Sequence, residues 1–153
     1  MYQRILVPVD GSAASQRGLQ EAVRLARTLE ARLLFLHVLD DYPMLMQVTS
    51  QASLEAMLKD LRHAGLDVLS RARQAAEQGS VHCETLLREV TGKRVADIIV
   101  DQVGQHHCEL VVMGTHGRRG LARLSMGSDA EQVLRASPVP VLLVRELPDT
   151  LPA

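Results

Sequence analysis

The residues best suited to chemistry are the glycine and hydroxyl positions of Gly114-Thr115-His116-Gly117 and, after nine further residues, Gly127-Ser128. They follow the apolar run Leu110-Val111-Val112-Met113 and lead into Asp129-Ala130-Glu131-Gln132-Val133-Leu134. The expected order is strand, glycine loop, helix. A helix start leaves amide N–H groups without partners and carries partial positive charge, so it attracts anions. Glycine lets the backbone approach a ligand closely. The stretch therefore has the parts of a phosphate cradle. Ser128, with Glu131 three residues on, also forms a capping-box pattern, and a cap residue stands where the anion would sit. Arg118, Arg119 and Arg123 punctuate the loop and would offset phosphate charge through charge-assisted hydrogen bonds, although a solvated face explains at least two of them equally well. His116 reads first as a spacer inside the turn. Neither G-x-x-x-x-G-K-[ST] nor G-x-G-x-x-G is present.

The elements that must hold such a loop are legible along the chain. Arg4-Ile5-Leu6-Val7-Pro8-Val9 reads as a buried parallel strand. Asp10-Gly11-Ser12 is its turn, with Ser12 placed to cap a helix whose inner face is Leu19, Ala22, Val23, Ala26 and Leu29. A second strand is expected over residues 33–39 and a loop over 40–51. A long helix follows over 53–78, with Leu54, Met57, Leu58, Leu61, Val68, Leu69, Ala72 and Ala76 inward and Gly79 as its C-cap. Gly65 interrupts that helix at a cost of ~1 kcal/mol against alanine. A third strand is expected over 81–88, a helix over 93–103 ended by Gly104, a fourth strand over 110–113 and a helix over 128–136. The fifth strand is Val139-Pro140-Val141-Leu142-Leu143-Val144. Strands alternating with helices give a doubly wound α/β layer. We expect one domain over residues 1–146 and a tail over 147–153.

Composition excludes several classes of function. The 153 residues include one Phe and no Trp, so a base-stacking platform for single-stranded nucleic acid is not expected. A formal net charge of −1 argues against general affinity for nucleic acid or acidic membranes. No apolar run approaches the ~20 residues of a membrane span. The N-terminus shows no signal-peptide pattern, and Cys83 and Cys108 are expected as reduced thiols in a cytoplasm.

The spacing Gly-x2-Gly-x9-Gly-Ser resembles the ATP-binding signature of the universal stress protein family, with matches at Gly114, Gly117, Gly127 and Ser128. The resemblance runs from Ile5 to Val144. It implies a single open, mostly parallel five-stranded sheet of order 3-2-1-4-5, helices on both faces, similar to adenine-nucleotide hydrolases. Asp10-Gly11-Ser12 and the glycine loop would then be neighbours at the point where the chain reverses across the sheet, the usual ligand site of such sheets.

The resemblance also implies that Pro8, Val9 and Asp10 line a nucleotide site, with Asp10 suited to a ribose hydroxyl or a phosphate-bound metal. Val38 matches the second-strand position whose main chain meets adenine. Asp129 departs from the family, which often has an apolar or hydroxyl residue there. A carboxylate in the first turn suits the helix dipole but repels phosphate. Ser125 is a second departure. The expected ligand set is thus Pro8, Val9, Asp10, Ser12, Val38, Gly114, Gly117, Arg118, Gly127, Ser128 and Asp129, with ATP as ligand, with or without Mg²⁺, and no catalytic residue assigned.

His82-Cys83 and His106-His107-Cys108 offer zinc-type ligands, but near the starts of strands three places apart in that order, roughly 14 Å at ~4.8 Å per strand. No metal centre is expected. Phosphoryl transfer needs metal ligands and a positioned base, and Asp10 is the one candidate acid, so any hydrolysis should be slow. The Ser-Gly-Gly-x-Asp-Ser loop of related adenylating enzymes is not matched by Asp10-Gly11-Ser12-Ala13-Ala14-Ser15. The apolar strand from Val139 to Val144 would leave a sticky edge if uncovered; the resemblance implies a homodimer that pairs this strand with its copy, and the alternative is that the tail folds back over it. The competing reading is a dimeric interaction module that binds no nucleotide.

Overall fold

The computed structural model describes residues 1–116 and 126–146. In chain order the elements are β1 (Arg4–Pro8), α1 (Ala13–Leu29), β2 (Arg32–Asp40), α2 (Tyr42–Leu45), α3 (Gln51–Gln78), β3 (Cys83–Val90), α4 (Val95–Gln105), β4 (Leu110–Gly114), α5 (Ser128–Ala136) and β5 (Val141–Val144). The strands form one sheet in the expected order, β3-β2-β1-β4-β5, with every neighbouring pair parallel.

Consecutive apolar residues in β1 and β2 are buried because the sheet is covered on both faces. Ile5, Val7, Leu33 and Phe35 point into a core closed by α1 and α3. Leu6, Leu34 and Leu36 point the other way, against Ile99 and Val103 of α4 and Val133 of α5. The alternation follows from the period of two along a strand. Apart from Phe35, the fully buried large side chains are aliphatic.

Several element bounds differ from expectation, each for a local reason. β3 begins later because the Val81 amide is taken by the Ala76 carbonyl at 2.9 Å, in a turn where Ser80 is left-handed. β5 starts at Val141 because Ser137 Oγ and Val139 bond to one another and Pro140 has no N–H to pair. α4 continues through Gly104, where an added Cβ would meet nothing, and the chain turns instead at His107, φ 51°. The expected loop after β2 contains the single turn α2. α3 starts two residues early, capped by Ser50, whose hydroxyl accepts from Ser53 N–H at 3.2 Å. Only its C-terminal half is buried; Leu54, Met57, Leu58 and Leu61 are half-buried.

Gly65 corrects the view that glycine merely weakens α3. It is buried, and a Cβ there would fall 2.7 Å from His37 Cδ2. The missing side chain is what lets the imidazole of β2 lie against the helix backbone.

Candidate functional site

From β1 the chain passes outward to β2 and β3 on one side, and later to β4 and β5 on the other. The carboxyl ends of β1 and β4 therefore diverge and leave a crevice between them. A cleft of about 290 Å³ lies there. Pro8, Val9 and Asp10 form one wall; Val38, Leu39 and Asp40 lie at the end of β2. Met113, Gly114 and His116 come from β4 and its continuation, and Gly127, Ser128, Asp129 and Ala130 from the start of α5. Leu61, Val95 and Ile99 add apolar surface. An apolar lining with a few converging polar groups is the usual make-up of a small-molecule site.

Past the end of β1 the backbone stays tied. Val9 N–H donates to the Leu36 carbonyl at 2.8 Å, and the Val9 carbonyl lies 2.7 Å from His37 Nδ1. Asp10 N–H donates to Ser15 Oγ at 3.1 Å, and Asp10 Oδ1 accepts from Ser12 N–H at 2.9 Å. The last bond is an Asx turn, which holds the carboxylate at the cleft edge.

At the end of β4, Gly114 lets α1 come close. A Cβ on Gly114 would fall 2.5 Å from the Ala14 carbonyl oxygen, and one on Gly18 would fall 2.9 Å from Gly114 N. No side chain fits at either position without moving backbone. Thr115 is buried; its amide donates to the Val144 carbonyl at 3.0 Å, and its own carbonyl accepts from Gly127 N–H at 2.7 Å. Its hydroxyl lies 2.9 Å from His116 Nδ1.

The start of α5 corrects the expected capping box. Gly127 is the N-cap, Ser128 is the first helical residue, and the cap residue makes no side-chain hydrogen bond to the helix. The first intrahelical bond runs from Glu131 N–H to the Gly127 carbonyl at 3.0 Å. Glu131 pairs with Arg135 at 2.7 Å, four residues on, rather than reaching back. The amides of Ser128, Asp129 and Ala130 therefore have no intrahelical acceptor. Gly127, as the cap, has no side-chain oxygen to offer them, and Ser128, Asp129 and Ala130 all line the cleft.

Of the expected ligand residues, Pro8, Val9, Asp10, Val38, Gly114, Gly127, Ser128 and Asp129 line the cleft. Ser12 does not; its hydroxyl caps α1, accepting from Ser15 N–H at 3.2 Å. Gly117 and Arg118 lie outside the described residues, as do Arg119 and Arg123. Sequence reasoning missed Ser15, His37, Asp40 and Leu61. Ser15 lies in the first turn of α1 and His37 beside Val38, so both were within reach of a reading that followed side chains around the ends of β1 and β2. Leu61 was assigned to the core face of α3, and nothing in the spacing separates core from cleft there.

Cys83 opens β3 and Cys108 precedes β4, and β2 and β1 lie between those strands. Among the described residues no group of three or more His, Cys, Asp or Glu side chains is arranged to hold a metal ion. Burial pushes the Cys108 thiol up to about 11 and raises that of Cys83, so neither is set up as a thiolate nucleophile. Among the described residues no helix is long and apolar enough to cross a membrane.

A model of the universal stress protein family matches residues 1–145. The universal stress protein MJ0531 of Methanocaldococcus jannaschii is 30% identical over 146 residues, covering 95% of this chain and 84% of that one. The solved structure of protein MJ0577, from the same organism, superposes with a TM-score of 0.84 at 21% identity, covering 96% of this chain and 98% of that one. That likeness is one of fold. A universal stress protein solved in complex with cAMP superposes with a TM-score of 0.67 at 26% identity, covering 94% and 97% of the two chains.

Proposed function

This chain belongs to the universal stress protein family, and we propose that it binds an adenine nucleotide in the cleft at the ends of β1 and β4. The observation that carries the proposal is the start of α5. Three consecutive amides, of Ser128, Asp129 and Ala130, have no intrahelical acceptor and sit beside a glycine cap at the cleft wall. Such a tip favours phosphate. A relative of 26% identity solved with cAMP supports the same ligand class.

ATP is the ligand implied by the Gly-x2-Gly-x9-Gly-Ser spacing. The α5 amides and the Ser128 hydroxyl would take phosphate oxygens, Asp10 a ribose hydroxyl, and the apolar surface of Val38, Val95 and Ile99 the base. Mg²⁺, when bound with the phosphates, would neutralise charge that Asp129 opposes. Turnover is slow or absent in this reading. Asp10 Oδ1 is held by the Ser12 amide and Asp40 Oδ1 accepts from Tyr42 N–H at 3.1 Å, which ties both carboxylates to their own turns. The protein then works as a nucleotide-dependent regulator in the cytoplasm, its ligand setting conformation or partner choice.

We further propose a homodimer formed by β5 pairing with β5 of a second copy. β5 is an edge of the sheet, and Leu142 on it is 39% exposed. An apolar edge of this kind is stabilised by pairing. The second reading, a dimeric interaction module without nucleotide, draws on one observation: Asp129 places a carboxylate at the cleft wall. Titration calorimetry and thermal melts with adenine nucleotides separate the two.

A further inference from the structure

The peptide that joins Val9 to Asp10 is gripped at both of its polar ends. Its carbonyl oxygen, that of Val9, lies 2.7 Å from His37 Nδ1. Its N–H, that of Asp10, donates to Ser15 Oγ at 3.1 Å. A carbonyl accepts only, so His37 must carry a proton on Nδ1. The imidazole is set from behind by Gly65, where a Cβ would fall 2.7 Å from Cδ2 and 3.1 Å from Nε2. This peptide plane fixes where the Asp10 side chain leaves the backbone, and both Asp10 and His37 line the cleft.

We propose that His37 is a positioning residue for ligand binding: seated against Gly65, it pins the Val9 carbonyl and so presents the Asp10 carboxylate to the cleft. The proposal rests on the nucleotide reading of the cleft. Without the Nδ1 donor the peptide is held at one end only, and Asp10 samples orientations that the ligand must reverse on binding. The role lies with the ring nitrogen, not with the ring's bulk. Asparagine places an amide N–H near the position of Nδ1; phenylalanine fills the space and donates nothing.

The test is calorimetric titration of the full chain with ATP and with cAMP. His37→Phe should weaken binding by about five- to tenfold, the worth of one hydrogen bond, and His37→Asn should recover wild-type affinity within about twofold. Gly65→Ala should weaken the wild type to the same extent and add little in the His37→Asn background, where no ring stands in the way of the methyl group and only Leu87 Cδ1, at 3.1 Å, must give slightly. Proton–nitrogen correlation spectra of the free protein should show His37 protonated at Nδ1. If the wild type binds neither of these nor AMP, the functional reading falls and takes the proposal with it. If the wild type binds and His37→Phe binds equally well, or His37→Asn is as weak as His37→Phe, the proposal alone is overturned. A ring bare at Nδ1 overturns it independently of any ligand.

Discussion

Gly127 donates its amide to the carbonyl of Thr115 at 2.7 Å, and through that bond the helix tip of the cleft hangs on the end of β4. Thr115 in turn donates to Val144, so edge strand, strand end and helix cap are joined in one line of backbone hydrogen bonds. Gly127 has φ −62°, a value that proline shares. Gly127→Pro therefore removes the donor while keeping φ and leaves the carbonyl of a buried residue unpaired. Relative to Gly127→Ala, it should lose ~1–3 kcal/mol in urea denaturation. Equal stability of the two variants would mean that the bond contributes nothing.

Two glycines predict opposite signs for one substitution. Gly114→Ala forces a methyl group to within 2.5 Å of the Ala14 carbonyl oxygen, so it should destabilise by ~1–3 kcal/mol and disturb the cleft beside it. Gly104→Ala lies inside α4 with nothing within 4 Å of the new Cβ, and should stabilise by ~0.4–1 kcal/mol. Denaturation midpoints of the two variants, measured together, check both.

The contrast marks what the sequence made legible. The strands themselves followed from hydrophobic runs, because burial on two sides writes a continuous apolar pattern, and the strand order from the family resemblance. The role of individual residues was less visible. Ser128 looks like a cap in sequence, yet Gly127 takes that place; one residue of drift at a helix start turns a capping hydroxyl into a first-turn side chain. Gly65 looks like a flaw until the ring of His37 is set against it, a contact 28 residues away in the chain. Ser12 was read both as the cap of α1 and as a ligand residue; its hydroxyl caps α1, and it does not line the cleft.

Acid should expose the tie between α3 and β3. Arg62 bonds Glu89 through both carboxylate oxygens, one at 3.0 Å. The hydrogen bond from Arg62 holds the Glu89 carboxyl below its usual range. A lowered carboxyl in the folded state stabilises at pH above its unfolded value, and that stabilisation is lost as pH falls through the folded value. Glu89→Gln should thus be less stable than wild type at neutral pH, with the difference shrinking to nothing as pH drops below the ordinary carboxylate range. Because the pair is exposed, added salt should shrink it too. A difference that survives acid would place its origin elsewhere.

For the dimer, Leu142 is the residue to change. It is exposed on β5, whereas Leu143 packs against the core beneath α4 and α5, so Leu143→Lys would confuse folding with association. Leu142→Lys should give monomers by light scattering with the melting temperature of the monomeric fold retained. An unchanged mass would exclude pairing through β5.

The most direct measurement is stability and heat of binding with ATP, AMP and cAMP, each with and without Mg²⁺. At least one adenine nucleotide should bind, raising stability by ~2.7 kcal/mol at 100 times its dissociation constant. Binding should weaken when the helix tip is disturbed by Gly127→Pro. If millimolar concentrations of every one of these nucleotides leave both the melt and the titration unchanged, the start of α5 holds no phosphate and the account of the cleft is wrong.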